Sequence, residues 1–411
     1  MDTIKHCGVT TLKKQMVKTT ITCALAAVCL CVGAYNARTW TVDAFSALDV
    51  SDAIVAKTPC DGETVSLVNE SVLELLEMDY FDVSWVQSLY EVGKDNYAPV
   101  ITLSWEAVDN ATAYSVRVAT DEDFVNVEER FSVLGTTEVK MIAPKANTDY
   151  YWQVSAQVGA NTIVSDVFSF QTSDTLRTVY IDGVTNTRDI GAKTTALGVM
   201  KQGQVYRGAG LKWKSAASDT YIENTPKAYE ITPTGIQTVK RLGIKTELDL
   251  RSAGETEQDG TSPAGIENYV QISSPYYAGG HAEGIDQENN YAAVKAIMQV
   301  FANADNYPIY MHCSYGKDRT GTISYLLNAL CGASQTQCWQ DFWLSVYAES
   351  GAIKKENIQH TYDLLVGLHN FINGQSGKTY ADKVANYLTK TVGLTNEEIQ
   401  QIRNNLLIYA Q

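Results

Sequence analysis

The sequence predicts a multidomain chain, an N-terminal antiparallel β-sandwich followed by an α/β domain whose central sheet is flanked by helices. Three observations lead there. Between residues 97 and 172, short runs of β-branched and aromatic residues alternate with turn signals, the texture of short paired strands. After residue 174, strand-like runs alternate with segments of helical period, as in α/β folds. Ahead of both lies a lysine-bearing stretch followed by a short apolar run, the pattern of a targeting segment rather than of a core.

At about 100–200 residues per domain, the 411 residues suggest two or three folded units. With 45% hydrophobic residues the chain can bury a core, which argues against wholesale disorder. Lys and Arg number 32 against 47 Asp and Glu, a net charge of −15. That balance excludes general binding to nucleic acid or to an anionic membrane, since both need a basic face. A site for an anionic substrate must therefore be local. The eight cysteines form no CxxC pair and no regular framework, so neither a zinc site nor a disulfide scaffold is indicated.

Residues 1–34 carry Lys5, Lys13, Lys14 and Lys18, then an apolar run over 21–34 that ends in Val32, Gly33 and Ala34. This predicts a signal peptide cleaved after Ala34, with an uncleaved anchor as the alternative. The expected location is secreted or at the cell surface. Residues 35–93 read as a linker or extension with local structure, strand-like at 64–68 and opening a helix within 72–76.

The sandwich is expected over residues 94–174, with strands at 100–105 (VITLSW), 113–119 (AYSVRVA), 150–156 (YYWQVSA) and 167–171 (VFSFQ). On Trp105, on the run Tyr114, Ser115, Val116, and on residues 144–152 (PKANTDYYW), the stretch resembles a fibronectin type III domain. The resemblance implies that Tyr150 fills a tyrosine corner. It also implies a spacer or adhesive module with a surface or protein partner.

Within 175–411, strands are expected at 244–250 (IKTELDL) and 307–312 (YPIYMH), and helices at 291–302, 320–331 and 383–388. Thr395 and Glu398 form a capping-box pair opening a terminal helix through Leu407. Between the second strand and the helix after it stands His312-Cys313-Ser314-Tyr315-Gly316-Lys317-Asp318-Arg319-Thr320-Gly321. A strand-to-helix turn gathers backbone N–H groups in one concavity, and the helix N-terminus adds positive potential, so the turn suits a tetrahedral dianion. Arg319, six residues after Cys313, brings a planar fork that holds two oxygens at once. A cysteine at the base of that concavity is favoured as thiolate, the nucleophilic form. Ser314 or Thr320 is then placed to hydrogen-bond the leaving sulfur. Ser314, Tyr315, Gly316, Lys317 and Thr320 are candidate substrate contacts.

The pattern HC-x5-R-T-G resembles that of the cysteine-dependent protein tyrosine phosphatases. Its form here, HCxxGKDRTG, is similar to a bacterial branch that acts on phosphotyrosine, phosphoserine/threonine and phosphoinositides. Further likeness lies in Asn186, Arg188, Asp189 and Gly191 (N-x-R-D-I-G), in residues 204–209 (QVYRGA) and in residues 248–252 (LDLRS). The resemblance implies a phosphocysteine intermediate and the use of no metal or cofactor. It assigns the general acid to Asp318, with Asp249 and Asp286 as alternatives, and links Lys317 to phosphoinositide acceptance. Arg188, Arg207 and Arg251 are further candidate phosphate contacts or else ordinary ion-pair partners, with Asp189 and Asp249 as structural partners, and His312 orients the loop. Residues 276–290 read as a flexible lid. The substrate is expected to be a phosphorylated protein or a phosphoinositide. Two alternatives stand beside this: an inositol-polyphosphate phosphatase of the phytase kind, and an adhesive surface protein with a degenerate phosphatase domain. The six-residue offset argues against a rhodanese, whose loop is shorter.

Overall fold

The computed structural model describes residues 54–78, 101–214, 228–255, 260–348 and 355–410. The expected leader lies outside them. Two sheets occupy the amino-terminal part. One has three strands in the order Ala56–Thr58, Thr102–Trp105, Glu138–Lys140. The other runs Glu63–Val65, Phe168–Thr172, Asp149–Val158, Ala111–Ala119, Val127–Val133, with Asn161–Val164 also paired to Asp149–Val158. Residues alternate between buried and part-exposed along Asp149–Val158, as period-2 side chains require. Leu103, Trp105 and Val139 of the first sheet share one apolar cluster with Val116, Trp152 and Phe170 of the second.

The extension expected at 35–93 does more than connect. Its strands Ala56–Thr58 and Glu63–Val65 join the two sheets, one each. Helix α1, Glu70–Leu76, is capped by the Asn69 side chain, which accepts from the Val72 N–H. Val68, Val72 and Leu75 make one apolar face at helical spacing, and that face is buried in the large carboxyl-terminal core. Gln340 donates to the Leu76 carbonyl and Tyr347 to that of Ser71. The two parts also meet at Arg177, which donates to the carbonyls of Ala143 and Pro144 while pairing with Asp189. Gln202 exchanges two hydrogen bonds with the backbone of Ala146.

The carboxyl-terminal part is built on a five-stranded sheet. In chain order its strands are β1 (Arg188–Asp189), β2 (Val205–Gly208), β3 (Thr246–Asp249), β4 (Asn268–Gln271) and β5 (Ile309–His312). The spatial order is β1-β2-β5-β3-β4, with β1 antiparallel and the rest parallel. All four residues of β2, β3 and β5 are buried, as expected of parallel strands covered on both faces. Helices α2 (Pro233–Arg241), α3 (Tyr291–Ala302), α4 (Asp318–Leu330), α5 (Gln335–Trp343), α6 (Ile358–Asn373), α7 (Tyr380–Asn386) and α8 (Asn396–Leu406) surround it. The expected capping box opens α8. Gly208, Asp249 and His312 stand in register, so the loops leaving β2, β3 and β5 rise from one edge. In open α/β sheets that carboxyl edge is where ligands bind.

Candidate active site

The loop between β5 and α4 is held from outside by its carbonyl groups. The Cys313 oxygen lies 3.1 Å from Nδ1 of His312, whose Nε2 is 2.9 Å from the Glu247 carboxylate. The Ser314 carbonyl accepts from the Gly210 N–H at 3.1 Å. The Tyr315 carbonyl accepts from Nδ2 of Asn186 at 3.0 Å, and that of Gly316 from the Arg207 guanidinium at 2.6 Å. In a trans peptide the next residue's N–H points opposite to the carbonyl. Four successive carbonyls tied outward therefore turn the N–H groups of residues 314–317 the other way, toward the start of α4. The first amides of α4 add their own donors and the positive end of the helix dipole. The result is an anion cradle.

Gly316 has φ of +72°, and a Cβ there would overlap the Gly208 carbonyl oxygen. A Gly316→Ala variant is expected to lose about 1–3 kcal/mol of stability from the left-handed backbone and the overlap. It should also bind vanadate more weakly. Thermal unfolding and a vanadate titration check both, and an unchanged vanadate affinity would count against the cradle.

Cys313 is free and 3% exposed, at the edge of the large core. The Arg319 fork holds the Glu255 carboxylate at 2.5 and 3.0 Å. Burial works against the Arg319 charge, but the Cys313 sulfur and Glu255 outweigh it and push the guanidinium up. Sulfur and guanidinium thus share one electrostatic neighbourhood. The Thr320 hydroxyl is buried and has no hydrogen-bond partner among the described residues. Asp318 begins α4. Its Oδ1 accepts from the Tyr277 phenol at 2.5 Å and faces the Lys317 ammonium at 3.3 Å.

Several expected residues are positioned differently. Arg188, Arg207 and Arg251 are not at the mouth of the cradle: each is 0% exposed. Arg188 and Arg207 converge on Asp341 at 3.1 and 2.6 Å, and Arg251 is paired with Asp249 at 2.6 Å. Arg207 braces the loop at the Gly316 carbonyl and Arg188 holds Asn186, which donates to the Tyr315 carbonyl, whereas Arg251 holds Asp249 and the Lys212 carbonyl. Buried guanidinium groups of this kind need carboxylate partners. Asp249 is placed as the structural partner of Arg251, not as an acid at the cradle. Its carboxylate accepts from Arg251 and Tyr269 inside the sheet. Burial pushes it up, but His312 and Arg251 pull it below its ordinary value.

Asp286 is not a free acid on a flexible lid. Its Oδ2 accepts from the amides of Gly279 and Gly280. Burial raises its carboxyl, yet those amides outweigh the effect and lower it. Ile285 N–H also donates to the Tyr277 carbonyl and Tyr276 N–H to that of Glu283, closing the loop on itself. Four residues went unread in the sequence: Asn186 as a loop tether, Glu255, Tyr277 and Asp341. Asn186 and Glu255 lie in or near the matched motifs. Asp341 and Tyr277 carry no local signal.

A thiol and a guanidinium at an anion cradle on the carboxyl edge of a parallel sheet define a cysteine-dependent phosphatase, a hydrolase. Residues 179–408 match the model of the tyrosine phosphatase family, and the chain belongs to that family. A tyrosine-protein phosphatase of Nostoc commune is 21% identical over 239 residues, 50% of this chain and 80% of the relative. Among solved structures, the core catalytic domain of the PP-IP phosphatase SIW14 from S. cerevisiae, in complex with citrate, is 17% identical. That match covers 41% of this chain and 87% of the other, with a TM-score of 0.24.

Proposed function

We propose that the chain is an exported phosphatase that hydrolyses phosphomonoesters through a phosphocysteine intermediate. The observation that carries the reading is the run of four outward-tied carbonyls, residues 313–316, in the loop that joins Cys313 to Arg319. The phosphoryl oxygens lie against the loop amides and the Arg319 guanidinium. The Cys313 thiolate attacks phosphorus in line. As the sulfur–phosphorus bond forms, the ester bond breaks and its oxygen takes a proton from Asp318. Water then attacks phosphorus and gives a proton back to Asp318. The sulfur leaves as thiolate, with the Thr320 hydroxyl as its hydrogen-bond donor. Glu255 holds both terminal nitrogens of the Arg319 fork and fixes its plane.

Phosphotyrosine is the leading substrate, with phosphoserine/threonine and phosphoinositides beside it. Lys317, 9% exposed and next to Asp318, supports a second anionic contact. The phosphatase domain spans residues 175–411 in this reading, and α1 from the extension completes its core. Residues 94–174 form a fibronectin type III-like module that carries a surface partner. Its support is the Tyr150 hydroxyl accepting from the Lys145 N–H at 2.7 Å, the upstream backbone bond of a tyrosine corner. Residues 1–34 direct export.

A rate panel of phosphotyrosine peptide, phosphatidylinositol phosphates and inositol hexakisphosphate tests the substrate. The phosphopeptide is expected to be turned over fastest. Turnover of the last compound alone would replace this reading with the phytase-like one, and no turnover of any phosphoester would leave the adhesive one.

A further inference from the structure

Tyr277 is fully buried in the large core, yet its backbone is left-handed, with φ of +59°. A bulky side chain keeps that conformation only where its surroundings hold it there. Here they do. Its N–H donates to the Thr322 hydroxyl at 2.9 Å, and that hydroxyl donates to the Asp318 carbonyl at 2.9 Å. Its carbonyl accepts from Ile285 N–H, and its ring packs against Phe342 and Tyr276. The phenol then reaches Oδ1 of Asp318 at 2.5 Å. Burial, followed by the Asp318 charge, pushes the phenol well above its ordinary value, so it remains a donor at any working pH.

The two contacts on the Asp318 carboxyl fall on the same oxygen. Oδ1 takes the Tyr277 hydrogen bond and faces Lys317 Nζ. With Oδ1 occupied as acceptor, a proton on the carboxylic acid belongs on Oδ2. We propose that Tyr277 is a positioning residue that fixes Oδ2 of Asp318 as the oxygen that delivers the proton to the leaving group. The inference rests on Asp318 being the general acid.

A general acid matters in proportion to the basicity of the leaving group. Phenyl phosphate needs the proton, whereas dinitrophenyl phosphate departs without it. The experiment compares kcat/KM for both substrates in the full chain, in Tyr277→Phe and in Asp318→Asn, with vanadate affinity as the measure of an intact cradle. Asp318→Asn is expected to lose on the order of 10²–10⁴ on phenyl phosphate, and Tyr277→Phe about tenfold or more. Both should stay within about threefold on dinitrophenyl phosphate, where little proton donation is required, and keep their vanadate affinity.

Equal loss on both substrates in Tyr277→Phe, or loss of vanadate binding, would make Tyr277 a packing residue only and overturn the proposal. So would an unchanged substrate ratio in Tyr277→Phe beside a large change in Asp318→Asn. If Asp318→Asn itself does not discriminate, the acid reading fails and takes the Tyr277 proposal with it.

Discussion

A Cys313→Ser variant is expected to lose phosphoester hydrolysis almost completely, by roughly 10⁶-fold, the scale on which removing the nucleophile acts in a serine hydrolase. A serine hydroxyl needs a base to take its proton, and the thiolate mechanism supplies none at that step, since Asp318 must then hold its own proton for the leaving group. His312 lies between the Cys313 carbonyl and the Glu247 carboxylate, and Asp318 accepts from Tyr277. The cradle itself does not depend on sulfur. It is built from backbone amides, the start of α4 and Arg319, so the variant should bind phosphotyrosine peptide as tightly as the native chain. Calorimetric binding beside a rate measurement checks the split. A rate within about tenfold of native would mean that a different group attacks phosphorus, since nucleophile loss is never so mild.

The second large effect is expected at Asp341. Its carboxylate pairs with both Arg188 and Arg207, and all three side chains are buried. An Asp341→Ala variant leaves two guanidinium groups buried without their partner, at a cost of about 3–5 kcal/mol. It also loosens Arg207 from the Gly316 carbonyl, so vanadate affinity should fall as well. The pH dependence has a definite sign. Burial alone would raise the Asp341 carboxyl, but Arg207, Arg188 and Lys193 hold it well below the carboxylate range. A carboxyl lowered in the folded state stabilises fully above its unfolded value, about 3.9. That stabilisation is lost as pH falls below it toward the folded value. The stability gap between the native chain and Asp341→Asn, read from urea unfolding, should therefore be full near about pH 7 and narrower near about pH 3. A gap that does not change with pH would sink the ion-pair account.

Legibility in the sequence followed the distance between partners. The stretch from His312 to Gly321 holds the proposed nucleophile, the guanidinium, the candidate acid and the glycine turn within one bend, so its chemistry could be read locally. The helix at 291–302 and the Thr395–Glu398 cap were legible for the same reason, because apolar period and capping pairs act within a few residues. The motif arginines were recognised, but whether they contact phosphate or serve as ion-pair partners could not be read locally. Whether a guanidinium faces a ligand or a core depends on where carboxylates lie, and Asp341 is remote in sequence from both Arg188 and Arg207. The Gly-rich run at 276–290 looked mobile from composition. Asp286 instead staples it to its own amides, a contact that only the folded loop creates. The extension at 35–93, described over residues 54–78, looked like a linker because each of its elements is short. Short elements gain stability only from neighbours that the sequence does not name.

The sequence by itself determined the reaction class, because a thiol and a guanidinium six positions apart across a strand-to-helix turn have few other uses. It also determined the order of β-rich and α/β regions, since periodicity is a local property. Tertiary structure alone decided which charges face the anion and which brace the loop from behind. It also decided which oxygen of Asp318 is left open. Each of these is a competition among distant groups for one buried partner, and its outcome depends on distances that exist only once the sheet has assembled.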